Sequence, residues 1–301
     1  MTSTPVTSHS VSADLVDDDI PPGLQQFESY KSYRSSKYLS IKHSSYFQVY
    51  DELFAPYRRR AIVFVEIGVL NGGSLFMWRD FFGPEARIIG IDLNPGAKQW
   101  EKDGFEIHIG SQSDAAFWDR FFAAVGDVDI LLDDGGHTNG QQIMTAEKCI
   151  PHIKDRGMLL IEDTHSSYLR VFGNPSKYSF INYAKKFIDA VNSRFPDVHA
   201  SQNTLNQAVF CVTAYESFVC FRVDRSKCFV SAPTSNGGLS VDAEDFRHAA
   251  SALYQLSHYL SRTFDRWKQI SFMRFLWRWS FELLFLLKSR IASRSLKRYF
   301  R

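Results

Sequence analysis

Short apolar runs separated by amphipathic segments dominate the chain from residue 61 to residue 223. Five runs predict buried parallel strands, because each is short, continuous and rich in branched side chains. They span residues 61–67, 87–93, 105–109, 130–132 and 158–161. Apolar positions at helical spacing lie between them, which predicts the βαβ units of an open α/β sheet. Two further runs, 207–212 and 216–223, predict an antiparallel pair that closes the sheet.

Composition changes at both ends of this core. Residues 1–24 are rich in Ser, Thr and Asp and end in a Pro-Pro-Gly turn, which predicts a disordered leader. Residues 25–60 predict a helical segment before the first strand. We therefore expect one core domain over residues 25–230, a linker of turn formers over 231–240 and a helical, basic and aromatic appendage over 241–301.

Two of the predicted strands end in pairs of acids. Asp133 and Asp134 follow one strand, and Glu162 and Asp163 follow the next. Neighbouring strands lie about 4.8 Å apart, so these carboxylates are expected to converge beyond the carboxyl edge of the sheet. Clustered acids need neutralisation, and a divalent cation that prefers oxygen ligands is the simplest partner.

A glycine-rich turn after the first strand indicates a second binding element. Glycine lets a ligand approach the backbone, and the following helix favours electron-rich groups at its N-terminus. The spacing differs from GxGxxG, which argues against a dinucleotide pyrophosphate. Glu66 and Gly68, with Asp92 after the second strand, instead predict a cofactor of the adenosine type. Ser111 and Gln112 follow the third strand and suit either an adenine edge or a turn.

Charge and cysteine content exclude some classes of protein. The net charge of +2 gives no field for binding nucleic acid. The four cysteines form no CxxC pair, which favours reduced, buried thiols and a cytoplasmic location. The N-terminus has neither the basic start nor the apolar core of a secretory signal.

Five sequence motifs follow one another along the chain in the order VEIGVLNGGS, GIDLNP, GSQSD, LLDDGGH and LLIEDTHSSY. Together they resemble the class I S-adenosylmethionine-dependent methyltransferases. More narrowly, they are similar to the metal-dependent O-methyltransferases that modify macrolide deoxysugars and rhamnosyl groups. The resemblance implies a Rossmann-like fold with a mostly parallel seven-stranded sheet flanked by helices. It also implies S-adenosylmethionine and Mg²⁺ as cofactors and a small-molecule glycoside as acceptor.

The resemblance also implies roles for individual residues. Asp134, Glu162 and Asp163 match the magnesium ligands, and His137 matches the base that deprotonates the sugar hydroxyl held by the metal. Cofactor contacts are expected from Glu66, Gly68, Asp92, Ser111, Gln112 and Asp133. Substrate contacts are expected from His165, Tyr168 and Tyr46. Structural roles remain open for five of these residues: Asp133 in holding its loop, His165 in closing a turn, Tyr46 in packing on the sheet, and Ser111 and Gln112 in forming a turn.

Two other functions fit parts of the pattern. Asp134, His137 and His165 supply the elements of a two-histidine, one-carboxylate iron site, which would make the protein an oxygenase. Such a site does not need the motifs around Glu66 and Asp92. A non-catalytic, membrane-associated adaptor with the same fold is the third hypothesis, although an intact acid cluster with its histidine argues against it.

The last 35 residues, 267–301, interleave aromatic, leucine and basic side chains. Charges interrupt the apolar run too often for a transmembrane span, and aromatic residues among basic ones are typical of an interfacial helix. The basic end would favour anionic lipid at the inner face of the membrane, with a lipid-linked acceptor. The same pattern suits a helix that packs in a homo-oligomer.

Overall fold

A computed structural model describes residues 21–172, 176–196, 198, 204–239, 241, 252–263 and 270–300. Most of the predicted leader lies outside these residues, and the described chain begins at Pro21, with Leu24 already buried. The chain divides into two compact units between Pro233 and Thr234, inside the stretch predicted to be a linker.

The first unit contains one seven-stranded sheet in the order β3-β2-β1-β4-β5-β7-β6. Its strands are β1 (Val63–Ile67), β2 (Arg87–Asp92), β3 (Glu106–Ile109), β4 (Val128–Asp133), β5 (Ile153–Ile161), β6 (Val209–Tyr215) and β7 (Phe218–Val223). β7 is antiparallel to both neighbours, and β1 to β5 are parallel. The predicted Rossmann-like, mostly parallel seven-stranded sheet is confirmed.

Among the described residues of this unit, six α-helices flank the sheet. They are α1 (Glu28–Ser35), α2 (Tyr46–Phe54), α3 (Gly73–Phe82), α4 (Ala115–Val125), α5 (Asn139–Cys149) and α6 (Phe180–Asn192). Local sequence marks several ends: the Asp114 carboxylate caps α4, and Thr138 with Gln141 forms a capping box at α5. Gly83, with φ of 95°, ends α3.

The two faces of the sheet bury two separate apolar cores. Alternate residues point to opposite sides, so Phe64 joins one core while its neighbour Val65 joins the other. Helices α1 to α3 cover the first face, where rings of α2 and α3 pack edge to face on one another. Helices α4 to α6 cover the second. The N-terminal helical segment thus belongs to the sheet domain.

Strand register decides what meets at the carboxyl edge. Ile67 of β1, Asp133 of β4 and Ile161 of β5 lie side by side as strand partners. The residues that follow, Asp134 and Glu162, therefore leave the sheet at the same level. The predicted convergence of the two acid pairs follows from this alignment.

The second unit contains two described helices, α7 (Ala252–Thr263) and α8 (Ser271–Leu296). Several aromatic side chains of α8 and the residues after it are exposed, among them Phe272, Phe275, Trp279, Tyr299 and Phe300. Within the described residues, no helix has both the length and the apolar character needed to cross a bilayer.

Candidate functional site

A cleft of about 700 Å³ opens beyond the carboxyl ends of the parallel strands. This is where open α/β sheets bind ligands, at the point where strand order reverses between β1 and β4. Eight predicted site residues line it: Tyr46, Gly68, Asp92, Gln112, Asp134, His137, Glu162 and Asp163. Glu66, Ser111, Asp133, His165 and Tyr168 are not among its lining residues.

The turn after β1 and the loop after β4 are in direct contact. Gly68 has φ of 94°, and a Cβ atom there would lie 2.2 Å from the backbone oxygen of Asp134. Only glycine fits both conditions. Asp92 fixes the same turn from β2, because its Oδ2 accepts hydrogen bonds from the amides of Val69 and Leu70 at 2.9 and 3.1 Å. The predicted cofactor turn is thus tied to the acidic loop.

Gln112 links the loop after β3 to the loop after β4. Its Nε2 donates to both oxygens of Asp133, at 2.7 and 2.6 Å, and its Oε1 accepts from the amide of Gly136. Asp133 is buried and also accepts from the amide of Gly135. Burial raises the pKa of Asp133 to about 6, and these hydrogen bonds limit the shift. Of the two expectations for Asp133, its placement matches loop holding and not cofactor contact.

Glu66 lies outside the lining of the cleft, and its expected cofactor contact stays a prediction. Its carboxylate is fully buried beneath the cleft, where Ser74 Oγ and Trp78 Nε1 donate to it at 2.6 and 3.0 Å. Burial raises the pKa of Glu66 to about 7, although Lys42 and these hydrogen bonds oppose the shift. Helix α3 packs over the end of β1, so one side chain from each of its first two turns donates a hydrogen bond to the Glu66 carboxylate.

Ser111 takes the turn role and not the ligand role in this structure. Its hydroxyl accepts a hydrogen bond from the amide of Ser113 at 3.2 Å. The hydroxyl thereby satisfies the backbone of the loop that leads to α4, whereas the next residue, Gln112, faces the cleft.

The acids that follow β4 and β5 meet at a lysine. Lys42 Nζ donates to Asp134 Oδ2 at 2.6 Å and to Glu162 Oε2 at 3.1 Å, and it lies 3.9 Å from Glu66 Oε1. Its side chain is 2% exposed. Burial alone would lower the pKa of Lys42, but the surrounding acids outweigh it and hold the pKa well above its usual value.

Glu162 lies deeper than the other predicted metal ligands. Its side chain is fully buried, with Tyr50 donating to Oε1 and Lys42 to Oε2. Burial raises the pKa of Glu162 well above its usual range, although the Lys42 ammonium opposes this. Glu162 lines the cleft, but both of its oxygens already have partners within the protein.

Asp163 and His137 lie nearer the mouth of the cleft. His137 Nε2 is 3.4 Å from Asp163 Oδ2, and Tyr46 donates to Asp163 Oδ1. Asp134, His137 and Asp163 each offer one ligand atom, and these atoms lie within 4.8 Å of one another. Carboxylate oxygens dominate this set, which suits a hard cation such as Mg²⁺.

The other substrate candidates lie at the rim. His165 Nδ1 bonds to Ser217 Oγ at 2.6 Å, and its ring packs edge to face on that of His43. Tyr168 is 62% exposed. Among the described residues, the ligand atoms of His165 group with His43 and Asp163 and not with Asp134 and His137. The iron site hypothesised from Asp134, His137 and His165 is therefore not assembled.

Sequence reasoning missed Lys42, Tyr50 and Ser217 as site residues. Two of them meet the acids across long separations in the chain: Lys42 is 92 residues from Asp134, and Tyr50 is 112 residues from Glu162. Ser217 instead bonds to Tyr46 and His165. The need to neutralise clustered acids was the available signal, but that reasoning led to a metal ion and not to a side chain.

Comparison with known proteins supports the fold and the motifs. Residues 65–164 match a family model described as a methyltransferase domain. The chain is 34% identical over 156 residues to mycinamicin VI 2''-O-methyltransferase of Micromonospora griseorubida, covering 47% of this chain and 38% of that protein. It is 28% identical over 171 residues to 8-demethyl-8-alpha-L-rhamnosyl tetracenomycin-C 2'-O-methyltransferase of Streptomyces olivaceus, covering 51% and 45%.

Solved structures show the same likeness. A MycE methyltransferase from the mycinamycin pathway, in complex with Mg and SAH, superimposes with a TM-score of 0.59 at 28% identity, covering 68% of this chain and 55% of that one. A second MycE complex, with Mg, SAH and mycinamycin VI, has a TM-score of 0.59 at 26% identity, covering 77% and 59%. The chain thus spans less than two thirds of each of these proteins. Sheet order, matched domain and relatives agree: residues 65–164 carry a methyltransferase domain, and the chain is similar to the macrolide and rhamnosyl sugar O-methyltransferases.

Proposed function

We propose that the protein is a Mg²⁺-dependent O-methyltransferase that transfers the methyl group of S-adenosylmethionine to a sugar hydroxyl of a glycosylated molecule. One observation carries this proposal: a cofactor-type turn and an acid–histidine cluster share a single cleft. Gly68 and Asp92 line one part, and Asp134, His137 and Asp163 line another. Two reactants bound in one cleft react as a single encounter, which is the main source of rate in methyl transfer.

The cleft suits an adenosine-type cofactor in size and in lining. Its volume lies in the usual range for small-molecule sites, and its apolar residues include Ile67, Ile91 and Leu93. We assign cofactor contacts to Gly68, Asp92 and Gln112. The carboxylate of Asp92 is held in place by the amides of the turn, so a ribose hydroxyl would hydrogen-bond to a carboxylate whose position is already fixed.

We assign Asp134, Glu162 and Asp163 to the metal. When bound, Mg²⁺ supplies a Lewis acid that lowers the pKa of the acceptor hydroxyl and orients it. The donor set fits this ion, since three carboxylates leave the sheet at one level and the ligand atoms of Asp134 and Asp163 lie close together. The relatives named above include a structure in complex with Mg and SAH.

We assign the proton transfer to His137. Its Nε2 lies 3.4 Å from Asp163 Oδ2 at the mouth of the cleft, and histidine is the side chain that most often serves as a general base. The hydroxyl oxygen forms the new bond to the methyl carbon while the carbon–sulfur bond breaks. The sulfonium becomes a neutral thioether, and the proton goes to His137. Tyr46, His165 and Tyr168 are the proposed acceptor contacts around this point.

The finer identity of the acceptor is also proposed. We infer a glycoside, because the named relatives methylate sugars of macrolide and tetracenomycin glycosides. A lipid-linked glycoside is the alternative. The exposed aromatic residues of α8, with exposed Arg290, Arg294 and Lys297, suit contact with the cytoplasmic face of an anionic membrane. Residues 25–230 would then form the catalytic domain, and 241–301 would place it near its substrate. A homo-oligomeric interface is the alternative.

A methyl-transfer assay tests the function directly. The full chain is incubated with S-adenosylmethionine and a panel of rhamnosyl and macrolide glycosides, with Mg²⁺ or with a chelator. We expect one glycoside to gain a methyl group only when Mg²⁺ is present. Methylation that persists in chelator would refute the metal role, and hydroxylation of an acceptor with Fe²⁺ would support the oxygenase hypothesis instead.

A further inference from the structure

Lys42 occupies an unusual place for a lysine. Its Nζ lies between Asp134 Oδ2 and Glu162 Oε2, with Glu66 at 3.9 Å, and almost none of its side chain meets solvent. Lysine is rarely buried unless it is paired. Here one positive charge faces three acids, two of which are assigned above to the metal.

The chain holds Lys42 in this place through a strap, residues 36–45, that connects α1 and α2. Ser36 Oγ donates to the backbone oxygen of Gly73 at 2.7 Å, and the Tyr38 ring packs on Trp100 with centroids 4.5 Å apart. A Cβ on Gly73 would lie 2.3 Å from the backbone oxygen of Tyr38, so the strap lies against the first turn of α3. Lys42 therefore reaches the acids from a well-anchored segment.

An ammonium and a divalent cation cannot share these oxygens without strong repulsion. Mg²⁺ binds carboxylate oxygens at about 2.1 Å, and Lys42 already contacts one oxygen of each acid at hydrogen-bond distance. A metal on the same two oxygens would lie within a few ångströms of the ammonium. In a site this buried, the repulsion between the two cations would be only weakly screened.

We propose that Lys42 is the built-in counter-ion of the acid pair and competes with the divalent cation for Asp134 and Glu162. Metal binding then requires the ammonium to leave these oxygens. Lys42 keeps the acids neutralised when no metal is bound. It also makes the affinity of the three carboxylates for the divalent cation lower than it would be without the lysine. This inference rests on the metal site of the proposed function.

Titration of Mg²⁺ into the full chain by calorimetry tests the competition. Lys42→Gln removes the charge but keeps a group that can donate hydrogen bonds to both acids. We expect it to bind Mg²⁺ about tenfold or more tightly than the wild type, because the competing cation is gone. Lys37→Gln is the matched control: Lys37 belongs to the same strap but is exposed over the Tyr38 ring, and its removal should leave the affinity unchanged.

Thermal unfolding gives a second readout that does not depend on activity. Without metal, Lys42→Gln should unfold at a lower temperature than the wild type, and added Mg²⁺ should raise its unfolding temperature by more than it raises that of the wild type. If Lys42→Gln does not fold, Lys42→Arg keeps the charge and should bind Mg²⁺ no more tightly than the wild type does. Tighter binding by this variant would overturn the inference.

The outcomes separate this inference from the proposed function. If the wild type binds Mg²⁺ and Lys42→Gln binds it equally or more weakly, Lys42 does not compete, and the metal site itself stands. If neither protein binds Mg²⁺, both the metal site and the competition are wrong. Loss of S-adenosylhomocysteine binding in Lys42→Gln, with unchanged Mg²⁺ binding, would make Lys42 a cofactor contact and would also overturn the inference.

Discussion

Two residues of the acid–histidine cluster have a left-handed backbone conformation, with positive φ, which residues other than glycine rarely adopt. His137 has φ of 55° and Asp163 has φ of 54°. Such strain persists only where surrounding contacts hold it, and it is concentrated at functional sites. Ser166 Oγ donates to the backbone oxygen of His137, and Tyr46 holds the Asp163 carboxylate. These contacts point the two side chains toward each other at the mouth of the cleft.

His137→Asn tests the proposed base. Asparagine tolerates positive φ better than most residues, so the loop should keep its shape. Without the imidazole, we expect kcat to fall by about a hundredfold or more, which is typical for loss of a general base. Mg²⁺ and S-adenosylhomocysteine should still bind. A variant with normal kcat would refute the role of His137, and one that loses Mg²⁺ would make His137 a metal ligand.

Glu66 predicts a measurable dependence of stability on pH. Burial raises its pKa to about 7 in the folded state, above the value of about 4.3 in an unfolded chain. The folded protein therefore binds more protons between these values, and the free energy of unfolding contributed by Glu66 falls as pH rises from about 4 to 7. Urea unfolding at pH 5 and pH 8, with chelator present, measures this.

Glu66→Gln is the variant for that measurement. It removes the titrating group, so the stability of the variant relative to the wild type should improve as pH rises from 5 to 8. A relative stability that stays constant or worsens over this range would show that Glu66 is ionised throughout in the folded protein, held by Lys42 and Ser74.

At the scale of elements, the sheet and most helices followed from the apolar pattern. β1 to β5 fall within or close to their predicted positions because buried parallel strands are continuous apolar runs. Contacts between distant elements could not be predicted in this way. The strap that delivers Lys42 has no periodic pattern, and the recruitment of Glu66 by Ser74 and Trp78 depends on how α3 packs over β1. The cleft was thus predictable at its strand ends but not on the side formed by the strap.

Gly68 tests whether contact between the two loops matters. Gly68→Ala would place a Cβ against the backbone oxygen of Asp134, and we expect it to lower the free energy of unfolding by about 2 kcal/mol or more. Gly104→Ala is the matched control, because Gly104 has φ of 84° with nothing within 4 Å of its Cβ position. Gly104→Ala should lower the free energy of unfolding by about 1 kcal/mol, which is the penalty of the left-handed conformation alone. Equal losses in urea unfolding would contradict the close approach.

At the scale of the whole molecule, the first unit accounts for the proposed chemistry, and the second carries the proposed membrane contact. The α8 helix carries exposed aromatic residues that the proposed reaction does not use. The sequence predicted its helical and basic character. Composition alone could not decide whether α8 binds a lipid surface or a second copy of the chain, because exposed apolar side chains suit both partners.

Liposome co-sedimentation tests the proposed membrane contact. The full chain should sediment with vesicles that contain anionic lipid, and the double variant Arg290→Glu with Arg294→Glu should sediment much less. Arg120→Glu, an exposed change on α4, is the control for a charge reversal elsewhere on the surface. Deleting the chain after Arg262 should abolish sedimentation. A full chain that stays in the supernatant and sediments as a dimer in the ultracentrifuge would favour the oligomer.

The most direct test of the central claim is calorimetric titration of the full chain with S-adenosylhomocysteine and, separately, with Mg²⁺. If one cleft holds both, the wild type binds each of them. Asp134→Asn should keep S-adenosylhomocysteine binding and lose the Mg²⁺ site, while Asp119→Asn, an exposed change on α4, should keep both. Failure of the wild type to bind S-adenosylhomocysteine, or Mg²⁺ binding that survives in Asp134→Asn, would contradict the assignment of this cleft.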